Sequence, residues 1–224
     1  MLRYYHYRML TSRGQQVYKE LVDAIRRFKP SVVVSANVEG SLEIILDAIR
    51  FDNPHLFYVD WSVMKYRIAP FRGESEIFFS YRMGREEVHR CLRQASLLAK
   101  KLRRENEEQT VRAVHDYIAL HTKYDHESAN EVKIRPKSFN MLGPIFDGLG
   151  VCAGIAAATH FLLKELNVEC TTVKGRVITP TDSRGELHAW NLVRLHGKTL
   201  RLDVTWDLAV NGRVSYTYFC IPAA

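Results

Sequence analysis

Residues 148–163 form the longest apolar run of the chain, broken only by Thr159 and His160. The run falls short of the roughly 20 residues that a membrane-spanning helix needs. Ile155, Thr159, Leu162, Leu163 and Leu166 recur at helical spacing, and Asn167 suits a left-handed stop. This pattern predicts a helix inside a protein core, entered through the loop Gly148-Leu-Gly-Val-Cys-Ala-Gly. Three segments rich in branched and aromatic residues follow, at 171–177, 189–195 and 199–204, with another at 214–220. His196-Gly197-Lys198 makes the second and third a hairpin. A buried helix followed by antiparallel strands places the chain in the α+β class.

The first half alternates helix and strand signals. Val17, Leu21, Ile25 and Phe28 mark one face of a helix over 15–28, which Pro30 ends. A strand is expected at 31–35. Ser41 then caps a helix carrying Leu42, Ile45, Ala48 and Ile49, and Asp52-Asn53-Pro54 stops it. Strands are expected at 56–62, 66–68 and 77–81, and helices at 86–104 and 110–122. Residues 123–146 read as loop, with Asp125, Asn130, Pro136, Asn140, Gly143 and Pro144. The expected division is a mixed α/β extension over 1–105 and a helix-then-sheet core over 106–224.

Composition narrows the class of function. The 224 residues are 46% hydrophobic and 25% charged, which excludes a disordered or low-complexity chain. This length buries a sizeable core without disulfide or metal staples. The start, Met1-Leu-Arg-Tyr-Tyr-His-Tyr-Arg, lacks the apolar stretch of a secretory signal. Four scattered cysteines (Cys91, Cys152, Cys170, Cys220) make a disulfide framework a poor reading, and the expected setting is the cytoplasm. The net charge of +7 is densest at Lys100, Lys101, Arg103 and Arg104, but Glu105, Glu107 and Glu108 follow at once. That mixture reads as a solvated helix end, and no nucleic-acid-reading motif accompanies it. His115, His121, His126 and His160 show no metal-ligand spacing, so no metal or other cofactor is expected.

Cys152, His188 and Asp203 carry the chemical signal. Cys152 stands where a loop enters a helix, and there free N–H groups and the helix dipole favour a thiolate. By itself it reads rather as a small buried hydrophobe packed among alanines. The spacing of the other two residues changes the balance. If the hairpin turns on His196-Gly197, paired residue numbers sum to 393. His188 then faces position 205, and Asp203 lies two residues away on the same face. That is a diagonal neighbour, within reach of an imidazole. Asp is disfavoured in apolar strands, so an acid there implies a cationic partner. Trp190 shares the His188 face and reads as core packing or as a wall of a cleft; Trp206 does not share the Asp203 face.

Gly150-Val-Cys-Ala-Gly, His188-Ala-Trp-Asn and Asp203-Val-Thr-Trp-Asp, in this order, resemble the transglutaminase-like superfamily of papain-like cysteine enzymes. The stretches His115-Asp-Tyr-Ile, Tyr124-Asp125, Leu162-Leu-Lys-Glu-Leu-Asn-Val-Glu-Cys and Val173-Lys-Gly-Arg-Val are similar to that family too. The resemblance spans about 110–207. Residues 52–60 are similar to an N-terminal extension of some bacterial members. The implied fold packs the nucleophile helix on an antiparallel sheet, and the implied catalytic triad is Cys152, His188 and Asp203. The chain departs from the family with Gly154-Ile155-Ala156 after the cysteine and Met141-Leu142-Gly143 upstream, which touches the substrate pocket rather than the triad.

The expected activity is cysteine-dependent acyl transfer from a peptide or carboxamide through a thioester, ending in hydrolysis of a protein or peptide substrate. The alternatives are glutamine transglutamination and a non-catalytic peptide-binding module. The Cys152 backbone N–H is the expected oxyanion donor, with Asn140 as a side-chain candidate whose simpler role is capping a turn.

Overall fold

The computed structural model describes residues 1–35, 38, 40–69, 71, 73–179 and 182–223, without the side chains of 178–179 and 182–184. The chain divides into two compact units, Tyr4–Arg93 and Gln94–Ala224, the latter joined by Met1–Arg3. The sequence points to a division at 105/106, between the helices expected at 86–104 and 110–122. The units divide inside a continuous helix instead, where local sequence carries no mark of a boundary.

In the first unit, α1 (Tyr5–Met9) precedes α2 (Ser12–Arg26), whose first turn is capped by Thr11 accepting from the Gly14 N–H. Val17, Leu21 and Ile25 bury the face predicted for them. β1 (Ser31–Val34), α3 (Leu42–Asp52), β2 (Lys65–Ala69) and β3 (Glu74–Phe78) follow, and the strands form an antiparallel sheet ordered β1-β3-β2. Ser41 precedes α3 as expected, but its hydroxyl donates to Val38 O rather than capping the helix.

The strand expected at 56–62 is absent. Two 3₁₀ turns, Pro54–Leu56 and Trp61–Val63, flank a single bridge between Val59 and Tyr81. Pro54 favours the first turn, and the Asp60 carboxylate caps the second by accepting from the Ser62 N–H at 3.2 Å. Leu56, Phe57, Tyr58 and Val59 are all buried, which the two-faced alternation of a half-exposed strand would not allow.

Helix α4 (Arg85–Leu102) leads into the second unit. Residues 103–106 break the helical run, because the Asn106 side chain accepts from the Gln109 N–H and starts α5 (Glu107–His121). The loop-like stretch 123–146 is shorter on irregular chain than its composition suggests. It holds β4 (Lys123–Tyr124), α6 (His126–Ala129), a 3₁₀ turn at Pro136–Phe139 and one π turn at Gly143–Asp147. β5 (Leu149–Gly150) pairs in parallel with β4 and delivers the chain into α7 (Cys152–Glu165).

Helix α7 is the central element of this unit. Its stripe of Ile155, Thr159, Leu162 and Leu163 is buried, and so are Ala156, Ala158, His160 and Phe161. It packs on β6 (Cys170–Thr179), β7 (Asp182–Leu195) and α5. With β8 (Lys198–Leu202) and β9 (Ile221–Pro222) these strands make an antiparallel sheet ordered β6-β7-β8-β9. Asn191 pairs with Leu202 and Leu195 with Lys198, so paired numbers sum to 393 as the turn residues dictate. His196 and Gly197 take φ of 50° and 75°, the left-handed values a two-residue hairpin turn requires.

The strand expected at 214–220 shrinks to β9. Residues 203–219 turn instead, and the buried Asp207 carboxylate takes one of the backbone donors of this stretch. Asp207 accepts from the Tyr218 N–H at 3.1 Å through either oxygen, and the Asp203 N–H donates to Tyr218 O at 3.1 Å. Among the described residues no helix is long and apolar enough to cross a membrane.

Gly154 makes one consequence of this packing measurable. A Cβ there would lie 2.2 Å from the backbone oxygen of Ser138. Glycine in a helix usually costs about 0.5–1 kcal/mol relative to alanine, so the sign is reversed here. Gly154→Ala is expected to destabilise by about 1–3 kcal/mol, the usual range for overpacking, read as a lowered urea midpoint. A midpoint equal to or above wild type would show that residue 138 can yield.

Candidate active site

Cys152 is the first residue of α7, and Val151 before it is extended, with φ −89° and ψ 171°. The Cys152 N–H therefore lies in the helix's first turn, where backbone donors have no partner within the helix. The loop before it is anchored at several points. Val151 N–H donates to Ser138 O at 3.0 Å, and Asp125 N–H to Gly150 O at 3.0 Å.

Asp125 is the hub of that anchoring. Its buried carboxylate accepts from the Ser128 hydroxyl at 2.6 Å, the Ser138 hydroxyl at 2.7 Å and Arg135 Nη1 at 2.8 Å. Burial alone would raise its pKa. The Ser128 and Ser138 hydrogen bonds and the Arg135 charge outweigh it and hold the carboxyl at about 2. The carboxylate thereby joins the loop after β4 to the turn at Pro136–Phe139, against which α7 begins.

His188 projects from β7 beside the thiol. Its Nε2 meets Asp203 Oδ2 at 2.9 Å, and its ring is hydrogen-bonded to Cys152. With Nε2 committed to Asp203, the nitrogen that serves the thiol is Nδ1. Asp203 stands just past the end of β8, fully buried, where the register places it diagonally from His188. Its Oδ2 is shared with Arg201 Nη2 at 2.8 Å, and its Oδ1 accepts from the Trp206 N–H at 3.4 Å.

Aromatic rings fix the histidine. Trp206 stacks on the His188 ring at 4.7 Å and 11°, and Trp190 lies nearly parallel at 5.9 Å and 21°. The Arg201 guanidinium sits over Trp190 at 4.8 Å, Trp206 at 4.9 Å and Tyr218 at 5.7 Å. Gly175, opposite His188 in the sheet, leaves room for Trp190, since a Cβ there would lie 2.8 Å from the indole.

The electrostatics favour a thiolate–imidazolium pair. Burial acts to raise the Cys152 pKa. The hydrogen bond and charge of His188, with the Ala189 and Ala153 backbone N–H groups, overcome it and lower the thiol below its ordinary value. Burial likewise opposes charging His188, but hydrogen bonds and charge from Asp203 and Cys152 raise its pKa to about 9. In the thiolate–imidazolium form that these shifts favour, the sulfur is able to act as a nucleophile and the imidazolium holds a proton to give.

Residues 96–204 match the family model of the transglutaminase-like superfamily. The chain carries a transglutaminase-like domain. Among solved structures, it is similar to a TGase at 14% identity and TM-score 0.45, over 72% of this chain and 48% of that one. A candidate cysteine protease from Cytophaga hutchinsonii is similar at 14% identity and TM-score 0.42, over 67% and 64% of the two chains. The periplasmic domain of TgpA from Pseudomonas aeruginosa is similar at 16% identity and TM-score 0.41, over 66% of each. The chain thus spans less than two thirds of each of these proteins. No curated protein shows a significant sequence match to it.

Within the transglutaminase-like domain, Cys152, His188 and Asp203 are brought together. Trp190 lines the histidine and carries Arg201 on its face. Asn140 takes the simpler of its two expected roles: its amide donates to Pro136 O at 3.2 Å and its oxygen accepts from the Leu142 N–H at 2.9 Å, so it caps its own turn. Trp206 departs from strict strand alternation because the chain leaves the ladder after Leu202 and turns the indole back onto His188. Of the other cysteines, Cys170 is buried, while Cys91 and Cys220 are half-buried.

Sequence reasoning did not single out Arg201, Asp125 or Tyr124 for the site. Arg201 was within reach of the period-2 rule, which puts residues 201 and 203 on one face. Asp125 and Tyr124 depend on contacts between segments far apart in sequence. Among the described residues no cluster of three or more His, Cys, Asp or Glu side chains is disposed to hold a metal ion.

The thiol environments differ enough to be ranked. Burial raises the Cys170 pKa, and the nearby Cys220 thiol adds to it; burial pushes Cys220 up to about 12. Iodoacetamide at neutral pH is expected to alkylate Cys152 well before Cys170 and Cys220 in the folded protein. Mass spectrometry of partly labelled samples reads the order. In His188→Ala the alkaline shift of the Cys152 labelling profile measures the imidazole's share. Labelling of Cys152 only after denaturant is added would mean that the thiol is inaccessible.

Proposed function

We propose that the protein hydrolyses amide bonds of peptide or protein substrates through a Cys152 thioester. The observation that carries this reading is the placement of His188 between the Cys152 thiol and Asp203, with Nε2 to Oδ2 at 2.9 Å. The thiolate attacks the substrate carbonyl carbon, a C–S bond forms, and the π pair moves onto oxygen. The backbone N–H of Cys152, at the positive end of α7, donates to that oxyanion.

The tetrahedral intermediate collapses by expelling the amine, which takes the proton from Nδ1 of His188. The neutral imidazole then accepts a proton from water as the water oxygen attacks the thioester. Breakdown of the second intermediate releases the acid and returns the thiolate–imidazolium pair. Asp203 keeps its charge throughout, holding the ring in orientation and stabilising the imidazolium. Arg201 and Trp206 keep Asp203 and His188 in register.

Water is the acceptor because deacylation needs only the Nδ1 base and a small nucleophile. Transfer to an amine is the competing outcome, and it is distinguished by product. With a glutamine-containing casein substrate and monodansylcadaverine, release of free acid and ammonia or of cleaved peptide supports hydrolysis. Cys152-dependent incorporation of the fluorescent amine would make the protein a transglutaminase. Turnover that survives Cys152→Ala would remove the thiol from the reaction.

Two further outcomes follow from the charge pair. Asp203→Asn keeps the shape but loses the negative partner of His188, so kcat/KM should fall by on the order of 10²–10⁴ while the protein stays folded by circular dichroism. Hydrolysis should also show an alkaline limb. As pH rises through about 9, His188 loses the proton that the leaving amine needs, and the rate falls. Alkylation of Cys152 needs only the thiolate and should not fall there. Parallel pH profiles of hydrolysis and alkylation check the sign. A hydrolysis rate that climbs steadily past pH 9 would contradict a protonated His188 as the acid.

A further inference from the structure

Outside the Cys152–His188–Asp203 set, Tyr124 meets the Cys152 residue directly. Its hydroxyl oxygen accepts the Cys152 backbone N–H, and the same hydroxyl is hydrogen-bonded to the Cys152 thiol. A carbonyl oxygen under attack by Sγ must lie near that same N–H, since the developing anion takes it as donor. The phenol oxygen therefore occupies the place that the substrate's oxygen takes in the tetrahedral intermediate.

The position is built by the backbone. Tyr124 pairs with Gly150 in the short parallel β4–β5 ladder, two residues before Cys152. Lys123 N–H donates to Gly148 O at 2.9 Å and Asp125 N–H to Gly150 O at 3.0 Å, so Tyr124 is clamped on both sides. The next residue, Asp125, is the buried hub that fixes the loop, and the Tyr124 ring meets the His126 ring edge-on at 4.9 Å. The phenol keeps its proton: burial first, then the Cys152 thiol and the Glu186 carboxylate, push its pKa up to about 12. A protonated phenol is a donor.

We propose that Tyr124 is the side-chain donor of the oxyanion hole, a catalytic residue acting with the Cys152 backbone N–H. In the free protein its hydroxyl holds the site. When a carbonyl enters, its oxygen takes over the Cys152 N–H, and the phenol withdraws by about one hydrogen-bond length, roughly 3 Å. As the C–S bond forms and the π pair moves onto oxygen, the Tyr124 O–H donates to that oxygen. Collapse of the intermediate restores the carbonyl and expels the amine. The phenolic proton never leaves Tyr124, so the step needs no further proton acceptor. This role fills the side-chain place that Asn140, engaged within its own turn, leaves open.

The assignment rests on the proposed acyl-transfer chemistry, and two reagents separate the two. Acylation of Cys152 by p-nitrophenyl acetate passes through an oxyanion, whereas alkylation by iodoacetamide is a direct displacement that forms none. In Tyr124→Phe the acylation rate is expected to drop on the order of 10²-fold, the usual loss for one oxyanion donor. The alkylation rate should stay within a few-fold, which also reports that the site is folded.

Wild-type acylation that persists undiminished in Tyr124→Phe would overturn the assignment and leave the acyl-transfer reading standing. A faster acylation in the variant would do the same and make Tyr124 a plug rather than a donor. A wild-type protein whose Cys152 is alkylated but not acylated would overturn both. Equal losses of acylation and alkylation would show that Tyr124 acts on the thiol and not on the oxyanion.

Discussion

One oxygen of Asp203 receives both His188 and Arg201, and the aromatic rings about the site are arranged around that shared contact. A carboxylate with no exposed surface has lost its hydration, and only close cationic and hydrogen-bonding partners offset the loss. His188, Arg201 and the Trp206 N–H fill that role. Arg201 in turn is held over Trp190, Trp206 and Tyr218, so the aromatic residues of three segments are tied to one buried charge. The glycine at 175 follows from the same contact, because Trp190 needs the space.

The Cys152 side of the candidate site obeys a different constraint. Helix α7 must begin at Cys152, with its first N–H groups turned towards the site, while almost every later residue of the helix is buried. A helix so apolar has no surface register of its own. Its start is set from outside by the Ser138 carbonyl, by the β4–β5 pair and by Asp125, whose hydrogen bonds gather residues 125–138 beneath it. Gly154 lets the helix approach that backbone closely. The geometry of the candidate site and core packing are therefore one arrangement here, and the thiol is placed by the same contacts that stabilise the unit.

Long, strongly periodic elements were legible from residues alone. Helices α2, α3, α4, α5 and α7 and the β7–β8 hairpin follow from apolar spacing and from His196-Gly197. The segments at 56–62 and 214–220 mislead for one reason. Branched and aromatic residues there sit in turns, where the Ser62 N–H goes to the Asp60 carboxylate, the Tyr218 N–H to the Asp207 carboxylate and the Ser215 N–H to Asp207 O rather than to a neighbouring strand. Composition reports that such residues want burial. It does not report which acceptor wins the backbone N–H.

The sequence by itself determined the α+β class, the start of the nucleophile helix and the diagonal relation of His188 to Asp203. Each of these depends on spacing within a short stretch of chain: helical period, hairpin turn and strand alternation. Tertiary structure alone decided that Trp206 would fold back over His188, that Asn140 would serve its own turn, and that Tyr124 would rest on Cys152. Those placements join residues many positions apart. Hydrogen-bond and packing competition between distant segments sets them, and no local period encodes its outcome.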